Sequence, residues 1–531
     1  MSLKTTFRLF SLACITSFLV GCGGSKVYDY VPEDANLAAK VNVESLWDKA
    51  FKDNDLSLRK IVAAAQFEIN EERESDWGAS DEVLNFLENF LKNPDVAGID
   101  FSSPVVVSGV INVEENDEDA FISFLLNDSD AFLKIANSLY KQECENMSEY
   151  SSYEPDKFTL GDGAKGFTFP SERLGLAVDE NAAVIVIPDH FGENGKNAKR
   201  LLTKLFSQEN TCQKPGFDKF AAASDDVSAW VDYDEFTDEL KKELRREFGF
   251  GASVAMGYLP DTQGMYSIAG LNFENGKAVL TAELSGNEEF VDMMTSYYKS
   301  ASTVGFKYLP YNAAFAFNIA TDNDAFVDFW NEQKNGEFGR YIKELEAQGL
   351  NEDLIAGLPG VICGALDGNS INSSMPQFTL FAEFDEDTYS LIKEILEDYG
   401  GLEQVSKDVY TEGHVYVVFN SDGILVMDAE TFEMTGGKEL RSNFNDSKLA
   451  SSIANGGLAV NLAALPEREL RSFAREMGLR NSQELLEYAS TMSMSYDENS
   501  FEMVVEMDDE NSTLLKKLAT EIANTIENEY N

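Results

Sequence analysis

Two histidines, five cysteines and 93 acidic residues are what this 531-residue chain offers for chemistry. A metal centre or a nucleophile–base pair needs partners at fixed spacing. His190, after Pro188-Asp189, and His414, after Gly413, have none: the chain contains no His-Glu-x-x-His, no Cys-x-x-Cys and no Gly-x-Ser-x-Gly. Each reads as a polar residue at a strand end. Gly161-Asp162-Gly163-Ala164-Lys165-Gly166 lacks the Gly-Lys-Ser/Thr ending of a phosphate loop and precedes a strand pattern, so it reads as a loop. A glycan hydrolase needs two carboxyls about 5 to 10 Å apart. Among so many acids no pair stands out, and no catalytic residue is assigned. Acids cluster after strand patterns at Asp128 and Asp130, Glu288 and Glu289, Asp385 to Asp387, and Asp508 to Glu510. These lack the spacing of a calcium loop and suit helix starts, where negative charge complements the dipole. No metal or cofactor site is assigned.

The residue with an assignable chemistry is Cys22. Met1 to Arg8 carries Lys4 and Arg8 and no acid, and Leu9 to Val20 is a short, mostly apolar run. A bilayer span needs about twenty apolar residues, so this is a secretory leader rather than a membrane helix. Leu19-Val20-Gly21-Cys22 resembles the lipobox of bacterial lipoproteins. The resemblance implies cleavage before Cys22, acylation of its thiol and amine (palmitate among the chains), and firm attachment, since two or more chains hold where one does not. Gly23-Gly24-Ser25 then forms a flexible tether. Lipoproteins kept at the inner membrane tend to carry Asp after the Cys. Gly23 stands here, so the resemblance implies the outer membrane, with the periplasmic or the surface face left open.

Cys14 leaves with the leader. Cys144, Cys212 and Cys363 remain, an odd number for an oxidising compartment. Val361 to Ala365 reads as a buried strand, so Cys363 is expected as a packed free thiol. Cys144 and Cys212 sit in polar surroundings and are disulfide candidates. The formal charge of −51 opposes nucleic acid and favours basic partners or cations. With 44% apolar residues the chain has enough to build packed cores.

The positioning elements look duplicated. Tyr30-Val31-Pro32-Glu33-Asp34-Ala35 returns as Tyr308-Leu309-Pro310-Tyr311-Asn312-Ala313. Each leads into an apolar strand ending at Asn42 or Asn318 and then a helix with Trp47 or Trp330; looser copies run through Asp232 into a helix at Asp234 to Phe248, and through Asn461 into one near Pro466 to Met477. The Asx residues read as backbone caps. Alternating strands at Phe121, Ala278, Phe378 and Phe501 each lead into a helix, and period-two alternation predicts sheet with one packed face. Leu174–Val178 with Ala182–Ile187, and Val415–Phe419 with Ile424–Met427, read as hairpins. The predicted class is α+β: two tandem pseudo-repeats of antiparallel sheet with helices packed on one face. The expected divisions are a leader over 1–21, a lipidated tether over 22–26, and halves over 27–306 and 307–531.

With the lipobox, Pro32-Glu33-Asp34-Ala35 and the step from Asn42 to Trp47, the chain resembles an uncharacterised family of Bacteroidetes lipoproteins, a domain of unknown function. That resemblance implies location and periodic architecture and brings no activity. The expected function is a lipid-anchored envelope protein with a non-catalytic binding or scaffolding role toward a protein or glycan. The alternative is a carboxylate-dependent, glycan-directed hydrolase with a cleft between the halves; a cation-binding role is a third reading.

Overall fold

The structure is a computed structural model. It describes residues 26–530 apart from 75–79, 113–116, 147–154, 209–210, 235–262 and 477–487, single positions at 171, 372, 374 and 498, and short gaps within 289–298, 336–359 and 385–402. The leader, Cys22, Gly23 to Ser25 and the expected helix at Asp234 to Phe248 lie outside the described residues. Mixed helices and extensive antiparallel sheet make the class α+β. The described residues form two compact units, one drawn from 26–234, 263–275 and 511–530 and the other from 276–510. This departs from a boundary at 306/307, because the last stretch folds with the first unit and residues 276–306 fold with the second.

The first unit holds β1 (Leu37–Val41), β2 (Val105–Asn112), β3 (Asp117–Leu125), β4 (Asp156–Thr159), β5 (Lys165–Phe169), β6 (Leu174–Val178), β7 (Ala182–Ile187), β8 (Val227–Asp232) and β9 (Tyr266–Glu274). They pair antiparallel in the order β4-β5-β6-β7-β3-β2-β1-β8-β9. Its helices are α1 (Val43–Phe51), α2 (Asp55–Glu74), α3 (Asp81–Lys92), α4 (Ser129–Asn146), α5 (Lys196–Leu205), α6 (Phe217–Ala222) and the C-terminal helix Leu514–Tyr530. Asn42 caps α1, accepting from the Ser45 amide at 3.3 Å, as its residue type predicts.

Helices cover both faces of this sheet, which corrects the one-face expectation. β6 and β7 are apolar at nearly every position, and successive side chains point to opposite faces, so neither face is left polar. Val184 and Val186 pack with Phe121 against Ala198, Leu201, Leu202 and Leu205 of α5. Ala183 and Ile185 pack with Phe124 against Leu133 and Tyr140 of α4. The α5 residues recur at helical spacing, which turns Lys196, Lys199, Arg200 and Lys204 outward. The C-terminal helix lays Ala519 and Ala523 against Trp47 and Phe51 of α1 and Ile61 of α2.

The second unit holds β10 (Lys277–Ser285), β11 (Ala313–Ala320), β12 (Val361–Asp367), β13 (Phe378–Glu383), β14 (Glu403–Ser406), β15 (Val409–Glu412), β16 (Val415–Phe419), β17 (Ile424–Asp428), β18 (Gly457–Asn461), β19 (Ala489–Asp497) and β20 (Ser500–Met507). Their antiparallel order is β14-β15-β16-β17-β13-β12-β11-β18-β19-β20-β10. With them go α7 (Asn323–Asn335), α8 (Ala429–Thr435) and α9 (Glu467–Glu476). Small residues on the central strands, Ala316, Ala365 and Ala459, make room for Phe306, Phe381 and Phe444. Phe306 and Phe444 meet edge to face with centroids 5.1 Å apart. Gly305 is demanded by this packing: a Cβ there would lie 2.3 Å from Cys363 Sγ and 2.4 Å from Phe381 Cδ1.

Candidate functional site

The densest buried ionic cluster described in the first unit forms around the start of β8. Asp225 and Asp226 precede that strand, Lys40 comes from β1, Ser45 and Lys49 from one face of α1, and Asn272 from β9. Asp226 is 1% exposed on its side chain and fully engaged. Its Oδ1 accepts from Ser45 Oγ at 2.5 Å; its Oδ2 accepts from Lys49 Nζ at 2.6 Å and from the Phe273 amide at 2.7 Å. Asp225 accepts from Asn272 Nδ2 at 2.6 Å and from Ser228 Oγ at 3.2 Å.

Lys40 is the unusual member. It is 3% exposed, and its ammonium donates to the carbonyls of Phe220 at 2.7 Å, Ala221 at 3.3 Å and Ala223. These close the C-terminal end of α6, where a cation meets the negative end of the dipole. Burial pulls the Lys40 pKa down to about 8, with Asp225 pulling the other way. A lysine so poised suits imine or base chemistry. Here its three hydrogens already have three carbonyl acceptors, so the cluster is closed and structural. The sign of it in the sequence is a lysine in the otherwise apolar Leu37–Val41, in phase with buried Ala38.

The second unit places Asn318 in a like position. Asn318 sits on β11, opposite Cys363 of β12 and Gly457 of β18, and is fully buried. Its Nδ2 lies 3.2 Å from Ser302 O, 3.1 Å from Ile453 O and 3.2 Å from Ala454 O. Register thus sets Asn318 beside Lys40 in role rather than beside Asn42, which corrects the pairing of Asn42 with Asn318. The other two Asx residues differ again: Asp232 is buried and ion-paired to Lys214 at 2.8 Å, and Asn461 makes no side-chain cap.

A third cluster ties the Tyr-x-Pro phrase of the second unit to its hairpin. Tyr308 donates its hydroxyl to Asp422 Oδ2 at 2.6 Å, and Lys307 bridges Asp422 at 2.7 Å and Glu439 at 2.9 Å. Lys307 and then Tyr308 hold the Asp422 carboxyl below its ordinary range. Burial, then the bond to Asp422, pushes the Tyr308 phenol up to about 12. Glu88 and Asp322 are likewise held low, first by Arg73 and Lys299 respectively. The shifted carboxyls among the described residues are thus stabilised anions, the opposite of a general acid.

The remaining candidates are dispersed. The His190 side chain is 79% exposed with Asp189 3.6 Å away, and His414 is exposed. Cys212 is a buried free thiol with its sulfur 4.0 Å from Ala35 O; the Cys144 side chain lies outside the described residues. Cys363 is a buried free thiol, and burial pushes its pKa up to about 12. Among the described residues no group of three or more His, Cys, Asp or Glu is placed to hold a metal, and no helix is long and apolar enough to cross a membrane.

A family model described as Domain of unknown function (DUF4836) matches residues 28–497. The chain belongs to this family. The DUF4836 stretch takes in all three clusters and leaves out the C-terminal helix. No curated protein matches. Among solved structures, one titled "Structure of crystal form I of TP0453" is similar over 50% of this chain and 80% of its own, at 11% identity and a TM-score of 0.23. A likeness at that level carries no argument.

Proposed function

We propose that the protein is a lipid-anchored outer-membrane protein, held through Cys22, with a non-catalytic binding or scaffolding role toward a protein or glycan. The observation that carries the non-catalytic reading is the closure of the Lys40, Asp225 and Asp226 cluster, in which the donors and acceptors found together are used up by backbone and by one another. The anchor rests on Leu19-Val20-Gly21-Cys22 behind a basic, apolar leader.

The proposal extends to architecture: two tandem pseudo-repeats of one α+β plan. What supports it is strand order. Adding ten to each strand of β4-β5-β6-β7-β3-β2-β1-β8-β9 gives the first nine places of the second unit's order. The tyrosine of each Tyr-x-Pro phrase also bonds the turn of the corresponding hairpin, Tyr30 to Asp179 and Tyr308 to Asp422. Sheets repeated in this way offer surface rather than a chemical centre.

Fractionation of cells expressing the wild type and Cys22→Ala tests the anchor. The wild type is expected in the outer-membrane fraction with a triacylated amino-terminal peptide by mass spectrometry, and the variant in the soluble fraction. A variant that stays with the membrane overturns the reading.

A further inference from the structure

We infer that α5 is a membrane-facing cationic surface that orients the tethered body on anionic lipid headgroups. This rests on the anchor reading above. Among the described α-helices, α5 alone carries no Asp or Glu, in a chain of net charge −51. It carries Lys196, Lys199, Arg200 and Lys204, all exposed. Lys204 is taken by Asp34, and Lys199 lies over the Phe158 ring at 4.7 Å. Lys196, Lys199 and Arg200 have no carboxylate partner among the described residues, and their spacing puts them on one side of the helix. Like charges at this spacing destabilise a helix, so the grouping is not there for stability.

Position supplies the occupant. The C-terminal end of α5 packs against the segment Tyr30 to Glu33, a few residues after the tether ends. Tyr30 meets Phe206 at 5.9 Å between centroids, and Gln208 just beyond α5 donates to Val31 O at 2.9 Å and accepts from the Glu33 amide at 3.1 Å. Only Gly23, Gly24 and Ser25 separate Cys22 from Lys26, where the described structure begins. Four residue steps reach about 14 Å. A helix of ten residues is about 15 Å long. With the 3-10 turn Lys26–Tyr30 adding about 8 Å, the lipid surface that holds Cys22 lies within about 22 Å of Tyr30 along the chain. Glu193 precedes α5, and the Asp29 and Glu33 backbones meet Gln208 just beyond it, so these acids oppose the effect, while Asp34 is already paired with Lys204. Basic side chains near an anionic surface each favour it enough that three give up to roughly a hundredfold in local residence.

The test uses the full lipidated chain added to preformed vesicles, of phosphatidylcholine alone or mixed with phosphatidylglycerol, and probed with a membrane-impermeant amine reagent read by peptide mass spectrometry. Lys196 and Lys199 are expected to label several-fold less on the mixed vesicles, with high salt restoring them, while exposed Lys407 labels equally on both. Lys196→Glu/Lys199→Glu/Arg200→Glu should still float with both vesicles but lose the composition-dependent protection of Lys204. Equal labelling of Lys196 and Lys199 on the two vesicle types, with flotation intact, overturns the orienting face and leaves the anchor standing. Failure of the wild type to float with neutral vesicles overturns the anchor itself.

Discussion

Tyr30 donates its hydroxyl to Asp179 Oδ2 at 2.6 Å, joining the segment before β1 to the β6–β7 turn 149 residues away. The other oxygen of Asp179 holds that turn together, accepting from the amides of Asn181 at 2.7 Å and Ala182 at 2.8 Å. One carboxylate thus fixes a local turn and a long-range closure at once.

Tyr30→Phe should cost about 1.5 to 3 kcal/mol, the range for a hydrogen bond to a charged group. Tyr308→Phe should cost less, because Asp422 keeps Lys307. Urea unfolding of the two variants gives the comparison. A Tyr30→Phe/Asp179→Asn double-mutant cycle with coupling near zero would remove the tie as a stabilising contact.

Alkaline pH should loosen the second unit through Tyr308. Its folded pKa is raised to about 12 against an ordinary 10.0, so the native state keeps the proton longer than the unfolded state. That contribution is whole below about pH 10 and is lost as pH climbs through about 12. Lys40 has the reverse sign. Its folded pKa is lowered to about 8 from 10.5, so its burial penalty is constant below about pH 8 and is relieved between there and about 10.5. Stability against pH, measured for wild type and for the Tyr308→Phe and Lys40→Met variants, should separate the two trends.

Lys40→Met removes a buried charge but takes their lysine donor from the Ala221 and Ala223 carbonyls, while the Phe220 carbonyl keeps the Ala223 amide at 3.2 Å. Unmet buried acceptors cost about 1 to 3 kcal/mol each, so the loss should win, with net destabilisation of about 2 to 4 kcal/mol. A variant as stable as wild type at pH 7 would show that those carbonyls find other donors.

Cys212 and Cys363 should resist thiol reagents in the native protein at mild alkaline pH and react once it is unfolded, because burial raises both pKa values and hides both sulfurs. Fast native labelling of Cys363 would contradict its place between Gly305 and Phe381.

Gly305→Ala forces a methyl into contact with Cys363 Sγ and Phe381 and should destabilise by about 1 to 3 kcal/mol. Cys363→Ala in the same chain should return part of that loss, since it clears one of the two obstacles. Calorimetry of the single and double variants reads the difference.

Much of this arrangement was legible in the residues. The two hairpins fall where their apolar runs and turn residues put them, at Leu174–Val178 with Ala182–Ile187 and Val415–Phe419 with Ile424–Asp428. Asn42 caps as its type predicts. The second helix-covered face was also written in β6 and β7, whose runs do not alternate, but the clean alternation of β20 set the expectation. The phase of Lys40 in β1 announces its burial, but its carbonyl partners lie 180 to 183 residues away, and no local pattern announces a contact of that range. Asn318 shares its residue type with Asn42 but its register position with Lys40, and only pairing with β12 and β18 supplies the register.

The placement of the helix Leu514–Tyr530 bears on how the chain is made. A nascent polypeptide that has emerged through β9 still lacks the element that shields Trp47, Phe51 and Ile61, and gains it only after everything from Gly276 to Glu510 has been translated. At roughly 5 to 20 residues per second, that interval is on the order of ten seconds or more. For that time the first unit carries a bare aromatic ledge, and its early part stays unfinished until the last helix of the chain arrives.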